Sequence, residues 1–212
     1  MTEFIATAFV TFFVVIDPVG NAPIFLGLTA NQSREHRRRI AVKAILVSAV
    51  TLVLFALVGE IFLRLLGITL PAVRIAGGAL LFLLSVDMVF ARQSGIRTMT
   101  DTEAHEAEDR GDVAVFPLAV PLIAGPGAIT SIILLMGRAT DEPLLQSLVV
   151  VIMLGVLGLC LLSLLFAAAL VKVMGVTGVN VVGRVLGIVL AALAVQYVLD
   201  GIAQLAETPV LS

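Results

Sequence analysis

Ile16-Asp17-Pro18-Val19-Gly20-Asn21-Ala22-Pro23-Ile24 interrupts the first apolar stretch of the chain, and Pro121-Leu122-Ile123-Ala124-Gly125-Pro126-Gly127-Ala128-Ile129 interrupts the fourth. Each proline lacks an N–H and disfavours helix for the residue before it, while glycine admits backbone conformations closed to other residues. Helix cannot run smoothly through either stretch. In a bilayer, backbone that does not satisfy its own N–H and C=O groups is tolerated only where protein buries it or where it lines a wet cavity. Two such breaks at corresponding places in the two halves of a chain point to the site of a membrane transporter.

The composition sets that context. Of the 212 residues 60% are hydrophobic and only 13% charged, against roughly 45–50% and about 25% in ordinary soluble domains. A net charge of −2 gives no argument for a nucleic-acid partner. The two histidines, His36 and His105, and the lone Cys160 have no metal-ligand spacing, so neither a metal centre nor an internal disulfide is expected. No cofactor and no enzymatic activity are expected. Met1-Thr2-Glu3-Phe4 lacks the basic region of a secretory leader, so the first apolar segment is expected to stay in the protein.

About 20 apolar residues cross the hydrocarbon core as a helix, and six stretches qualify: 4–29, interrupted at 17–23; 40–66; 69–91; 113–136, interrupted at 121–127; 144–172; and 179–205. Ten Lys and Arg residues fall on the side of the first loop and the 92–112 loop, from Arg34 to Lys43 and on to Lys172 and Arg184. Arg64, Arg74 and Arg138 make only three on the other. By the positive-inside rule both termini lie outside and the central loop is cytoplasmic. Gly20-Asn21-Ala22-Pro23-Ile24 lines up with Gly125-Pro126-Gly127-Ala128-Ile129 at an offset of 105, Leu66-Gly67-Ile68-Thr69 with Met174-Gly175-Val176-Thr177 at 108, and Arg74-Ile75-Ala76-Gly77 with Arg184-Val185-Leu186-Gly187 at 110. The expected fold is therefore an all-α membrane protein of six transmembrane helices in a 3+3 inverted-topology repeat, with helices 1 and 4 broken near the midplane. Its parts are a first repeat over 1–95, a polar linker over 96–112 and a second, inverted repeat over 113–212.

A broken helix exposes N–H groups at the start of one half and carbonyls at the end of the other, suited to a carboxylate and to an ammonium group or cation. The candidate binding residues are Asp17, Gly20, Asn21 and Pro23 at the first break and Gly125, Pro126, Gly127 and Thr130 at the second, where Ser131 offers a further hydroxyl. A compact cavity lined by backbone, Gly and Ala suits a small zwitterion. An acid within a membrane segment costs roughly 2.5–3.5 kcal/mol on insertion, so Asp17 is a candidate proton or ion carrier; capping the helix after Pro18 is its plainer role. Asp87 is a second candidate on a proton path. Glu60 and Arg64 read as an i, i+4 pair, Arg74 and Arg184 as side chains snorkelling to opposite surfaces, and Asp200 as a pairing residue.

The first break together with the Phe25-Leu26-Gly27-Leu28-Thr29 that follows it resembles a signature of the MarC family of integral membrane proteins, and the second break is similar to that family's second signature. The resemblance covers essentially the whole chain. It implies a bacterial or archaeal inner-membrane transporter of small neutral amino acids such as glycine and alanine, with the substrate held between discontinuous helices 1 and 4. Alternating access driven by a proton or sodium gradient is the expected mechanism, and no ATP-binding motif occurs in the chain. The alternatives are a channel or pore whose breaks form a carbonyl filter, an exporter of other small metabolites, and a non-transporting scaffold acting through the 92–112 loop.

Overall fold

The computed structural model describes residues 1–91, 112–140 and 142–207, and no strand occurs among them. Eight helical elements follow in order: α1 (Thr2–Ile16), α2 (Pro18–Leu28), α3 (Arg34–Leu65), α4 (Leu70–Val89), α5 (Ala114–Ile123), α6 (Pro126–Arg138), α7 (Pro143–Leu165) and α8 (Ala167–Glu207). Their ends follow local chemistry. Ser33 Oγ accepts the His36 N–H at 3.3 Å to start α3, and Thr69 Oγ1 accepts the Ala72 N–H at 3.4 Å to start α4. Prolines 18, 71, 126 and 143 stand in first turns, where a missing N–H costs nothing.

Five stretches are long and apolar enough to cross a membrane: α1 with α2, α3, α4, α7, and Thr177–Ala206 within α8. The pair α5 and α6, bent by 54° at its junction, brings the number to six when read as one broken span. The six apolar stretches of the sequence are these six. Gly67 closes α3 at φ 71°, and Gly175 interrupts α8 at φ 64°. Both glycines sit where the second and third spans of their halves meet, in the matched sequences Leu66-Gly67 and Met174-Gly175, and both need the left-handed backbone that a side chain resists.

The packing inverts the soluble pattern. Along α3 the buried face carries the small residues Ala41, Ala44, Ser48, Ala56 and Gly59 beside Ile40, Ile45 and Leu52, whereas Leu46, Val50, Leu54, Leu57 and Ile61 on the opposite face are exposed. Lipid solvates large apolar side chains as well as a protein core does, so what drives helices together is close backbone approach over small residues. The α4–α8 contact, the most extensive in the molecule, is built this way. A Cβ at Gly78 would stand 2.7 Å from the Ala194 carbonyl oxygen, one at Gly187 2.9 Å from Met88 Cβ, and one at Gly201 3.0 Å from the Pro71 carbonyl oxygen. Around this pair, α1 and α2 pack on α7 and α8, while α5 and α6 pack on α3 and α6 also on α4.

Several charged residues stand where the sequence placed them, and one does not. Glu60 and Arg64 pair at 2.5 Å, and Lys43 meets Asp112 at 2.6 Å, which puts the start of α3 and the end of the linker at one end of the bundle. The rest of the 96–112 linker lies outside the described residues. Arg74, expected to snorkel, is instead only 7% exposed, because the close α4–α8 packing encloses the first turns of α4; its counterpart Arg184 is exposed.

Gly78→Ala is expected to lower the stability of detergent-purified protein by about 1–3 kcal/mol, the usual cost of overpacking. Gly155→Ala, on an α7 face with no atom within 4 Å of the added carbon, is expected to leave the melting temperature unchanged or raise it, since Ala is the better helix former. Equal melting temperatures for the two variants would contradict the glycine-mediated contact.

Candidate functional site

At the first break the chain leaves the helix at one residue. Asp17 takes the left-handed conformation (φ 51°, ψ 68°), and α2 begins at once with Pro18. The expected interruption over 17–23 is thus narrower than the sequence implied: Gly20 and Pro23 are both helical, and Pro23 is accommodated inside α2. The strained φ falls on Asp17, where an acid tolerates it because its own side chain bonds locally. Asp17 Oδ1 accepts the Gly20 N–H at 3.0 Å, the helix-capping role. Gly20 is required by this cap and not by its own backbone angles, since a Cβ there would lie 2.2 Å from Asp17 Oδ2. Asn21, fully buried, donates Nδ2–H to the Ile16 carbonyl at 2.6 Å and so satisfies the end of α1. Its Oδ1 is buried with no hydrogen-bond partner.

The second break is longer and starts earlier than residue 121. Phe116 (φ −130°, ψ 125°) and Val120 (φ −129°, ψ 122°) are extended, each because a proline follows it. Regular helix resumes at Pro126, with Gly125 as the N-cap residue and no side chain capping it. Gly125 lies so close to the preceding turn that a Cβ would stand 2.2 Å from the Pro121 carbonyl oxygen. Structurally, Asp17-Pro18 corresponds to Gly125-Pro126. The two helix restarts, at Pro18 and Pro126, are 108 residues apart where the sequence match had 105, with an acid before the first proline and an uncapped glycine before the second.

The two breaks are neighbours. α1 packs on α6 and α2 touches α5. Gly127, buried at the start of α6, faces Val15 of α1 and Leu81 and Leu84 of α4, which a Cβ would meet at 3.0–3.3 Å. The Thr130 methyl fills the space over Gly77 of α4. Pro126 is exposed, and Asp87 lies half-buried in the last turn of α4, one turn past Leu84.

Two serines cross-brace the breaks. Ser163 Oγ of α7 donates to the Pro18 carbonyl at 2.5 Å, and Ser48 Oγ of α3 bonds the Ala44 carbonyl at 2.9 Å and reaches the Ala119 carbonyl at 3.4 Å. α7 thus supplies a hydroxyl to the first break and α3 one to the second. Neither serine was singled out from sequence, where an isolated Ser in an apolar run carries no signal of its partner. Ser131, fully buried, has no hydrogen-bond partner for its hydroxyl.

Asp17→Asn keeps a capping oxygen and is expected to melt within about 0.5 kcal/mol of the parent, whereas Asp17→Ala is expected to lose about 0.5–2 kcal/mol. Gly20→Ala, which expels the cap, should resemble Asp17→Ala. Thermal unfolding in nanodiscs checks this, and an Asn variant as weak as the Ala variant would contradict the capping role.

The sequence profile of the MarC family of integral membrane proteins matches residues 2–206, a range that includes both breaks. A UPF0056 membrane protein of Archaeoglobus fulgidus is 38% identical over 202 residues, 95% of this chain and 93% of its own. The membrane protein YvbG of Bacillus subtilis is 32% identical over 205 residues, 95% of each chain, and YhcE of Escherichia coli 34% identical over 195, 92% of this chain and 89% of its own. No solved structure matches the chain. With both motifs, the helical spans and the length of the profile in agreement, the chain belongs to the MarC family of multi-pass integral membrane proteins.

Proposed function

We propose that the chain is a secondary transporter that moves small neutral amino acids of the glycine and alanine type across the cell's inner membrane by alternating access, holding its substrate between the two broken spans. The observation that carries this reading is the unequal capping of the two half-helices. α2 begins on the carboxylate of Asp17, but α6 begins on Gly125 with no side-chain cap. A helix N-terminus presents unpaired N–H groups and a positive dipole end, and at the second break a substrate carboxylate would take the place that Asp17 fills at the first. The Asn21 Oδ1 is a buried acceptor in want of a donor, and it suits an ammonium group. A small zwitterion would serve both, its carboxylate at the start of α6 and its ammonium group at Asn21.

The reading includes a 3+3 inverted repeat, supported by the paired helix restarts at Pro18 and Pro126, the paired left-handed glycines 67 and 175, and the reciprocal packing of each broken span on the other half. It includes the orientation with both termini outside, supported by the charge bias of the loops. Coupling to a proton or sodium gradient belongs to it as well. Asp17 is the first candidate carrier and Asp87 the second. A channel is the alternative, and saturable exchange separates the two.

In proteoliposomes, Asn21→Leu is expected to reduce glycine flux at least tenfold while leaving the melting temperature high enough for assay. Asp17→Asn, which retains the cap but cannot titrate, is expected to keep substrate exchange and to lose gradient-driven accumulation if Asp17 carries the coupling proton. Undiminished flux in Asn21→Leu would remove the site assignment, and flux that fails to saturate would favour a pore.

A further inference from the structure

At the end of the bundle opposite the linker, four helices meet in a charged cluster inside the membrane-spanning region. Arg138, in the last turn of α6, forms an ion pair with Asp200 of α8, and its guanidinium lies 5.0 Å over the ring of Tyr197, one turn back on α8. Gln196 donates to the other oxygen of Asp200 at 2.7 Å. Arg74 of α4 lies close enough to feel the charges of both Arg138 and Asp200. It is 7% exposed, its Nε–H has no partner, and among the described residues it makes no ion pair. The hydroxyls of Tyr197 and of Thr11 on α1 are both buried, and neither has a partner within hydrogen-bond geometry. Two cations thus stand near one carboxylate, and Arg138 alone pairs with it.

The helices that carry these groups are not equally free. α4 and α8 are locked by glycine contacts, and at Gly201 an added Cβ would stand 3.1 Å from Arg74 Cβ, so Arg74 cannot be drawn away from the helix of Asp200. α6 rests on α4 differently, through side chains, Thr130 over Gly77 and Leu70 over Gly137, where α4 and α8 meet backbone to backbone. It is the half-helix that follows the second break, and Arg138 is its described ionic tie to the α4–α8 pair. If α6 tilts outward, the bond that breaks is Arg138–Asp200. Asp200 keeps 29% of its side chain exposed, yet a lone carboxylate within an apolar span is costly, and the cation already beside it is Arg74.

We infer that Asp200 is a two-position latch, held by Arg138 when α6 is docked and by Arg74 when α6 swings away to open this end of the bundle. The inference rests on the transport reading for its purpose. Exchange of partners keeps the carboxylate neutralised in both states, so opening carries no penalty of an unpaired buried charge. It also explains why Arg74 lies buried beside a pair that is complete without it. The matching Arg184 at the other end is exposed, so the latch belongs to one end only.

The test is thiol accessibility, which does not depend on substrate. In a Cys160→Ala background, Thr11→Cys lies beneath the latch and is expected to react slowly with a hydrophilic maleimide in nanodiscs. Adding Arg138→Gln is expected to speed labelling at least tenfold, and the charge exchange Arg138→Asp with Asp200→Arg to restore protection, which also shows that the fold survives. Arg74→Gln removes the partner of the open state, so it should slow labelling below the parent and cut glycine exchange at least fivefold. Unchanged labelling in Arg138→Gln would overturn the latch, as would acceleration by Arg74→Gln, which would make Arg74 part of the closed state. Labelling that follows this pattern in a protein that moves no amino acid would keep the latch and discard the transport reading.

Discussion

Hydrocarbon offers no hydrogen bonds, and this governs where the chain can depart from helix. Every N–H and C=O released by a break has to find a partner within the protein. At the first break the partners are specific: Asp17 takes the Gly20 N–H, Asn21 takes the Ile16 carbonyl, and Ser163 of a distant helix takes the Pro18 carbonyl. At the second, Ser48 reaches the Ala119 carbonyl, while the N-terminus of α6 is left without a side-chain cap. The first restart of helix has a side-chain cap and the second has none, and that difference supports the proposal that the second receives a ligand.

The rest of the architecture holds those breaks in register. Because lipid and protein interior are equally apolar, the bundle gains cohesion from small residues that let backbones touch. The glycines along α4 and α8 make a rigid spine, and Gly77 and Gly127 let the second broken span lie close against α4 and α1. Backbone contact joins α4 to α8, whereas α6 rests on α4 and α1 through side chains, and the proposed transport would use the first as a frame and the second as a moving part. Alternating access requires such a division.

Most of the fold was legible in the sequence because membrane spans announce themselves by length and hydropathy, and all six fall where hydropathy put them. The breaks were legible too, through proline and glycine, but their detail was not. The left-handed residue is Asp17 and not Gly20, since the capping carboxylate compensates its strained backbone and needs the bare Gly20 beside it. The second break begins at Phe116 because each proline acts on the residue before it. Arg74 was misread as a snorkelling side chain, since charge near a span end is usually solvated and only the α4–α8 contact shows it enclosed. Ser48, Ser163 and Thr11 gave no signal: a hydroxyl's role depends on which helix it faces, and that is a property of the packed bundle.

The account turns on a carboxylate received by the bare N-terminus of α6, and a solid-state NMR dipolar-recoupling measurement tests that directly. Protein labelled with 15N at Gly127 and Ala128, in bilayers with saturating glycine labelled at its carboxyl carbon, is predicted to show a carbon–nitrogen separation of about 4 Å, as expected across a hydrogen bond. Bound glycine that shows no coupling to either amide would contradict the account.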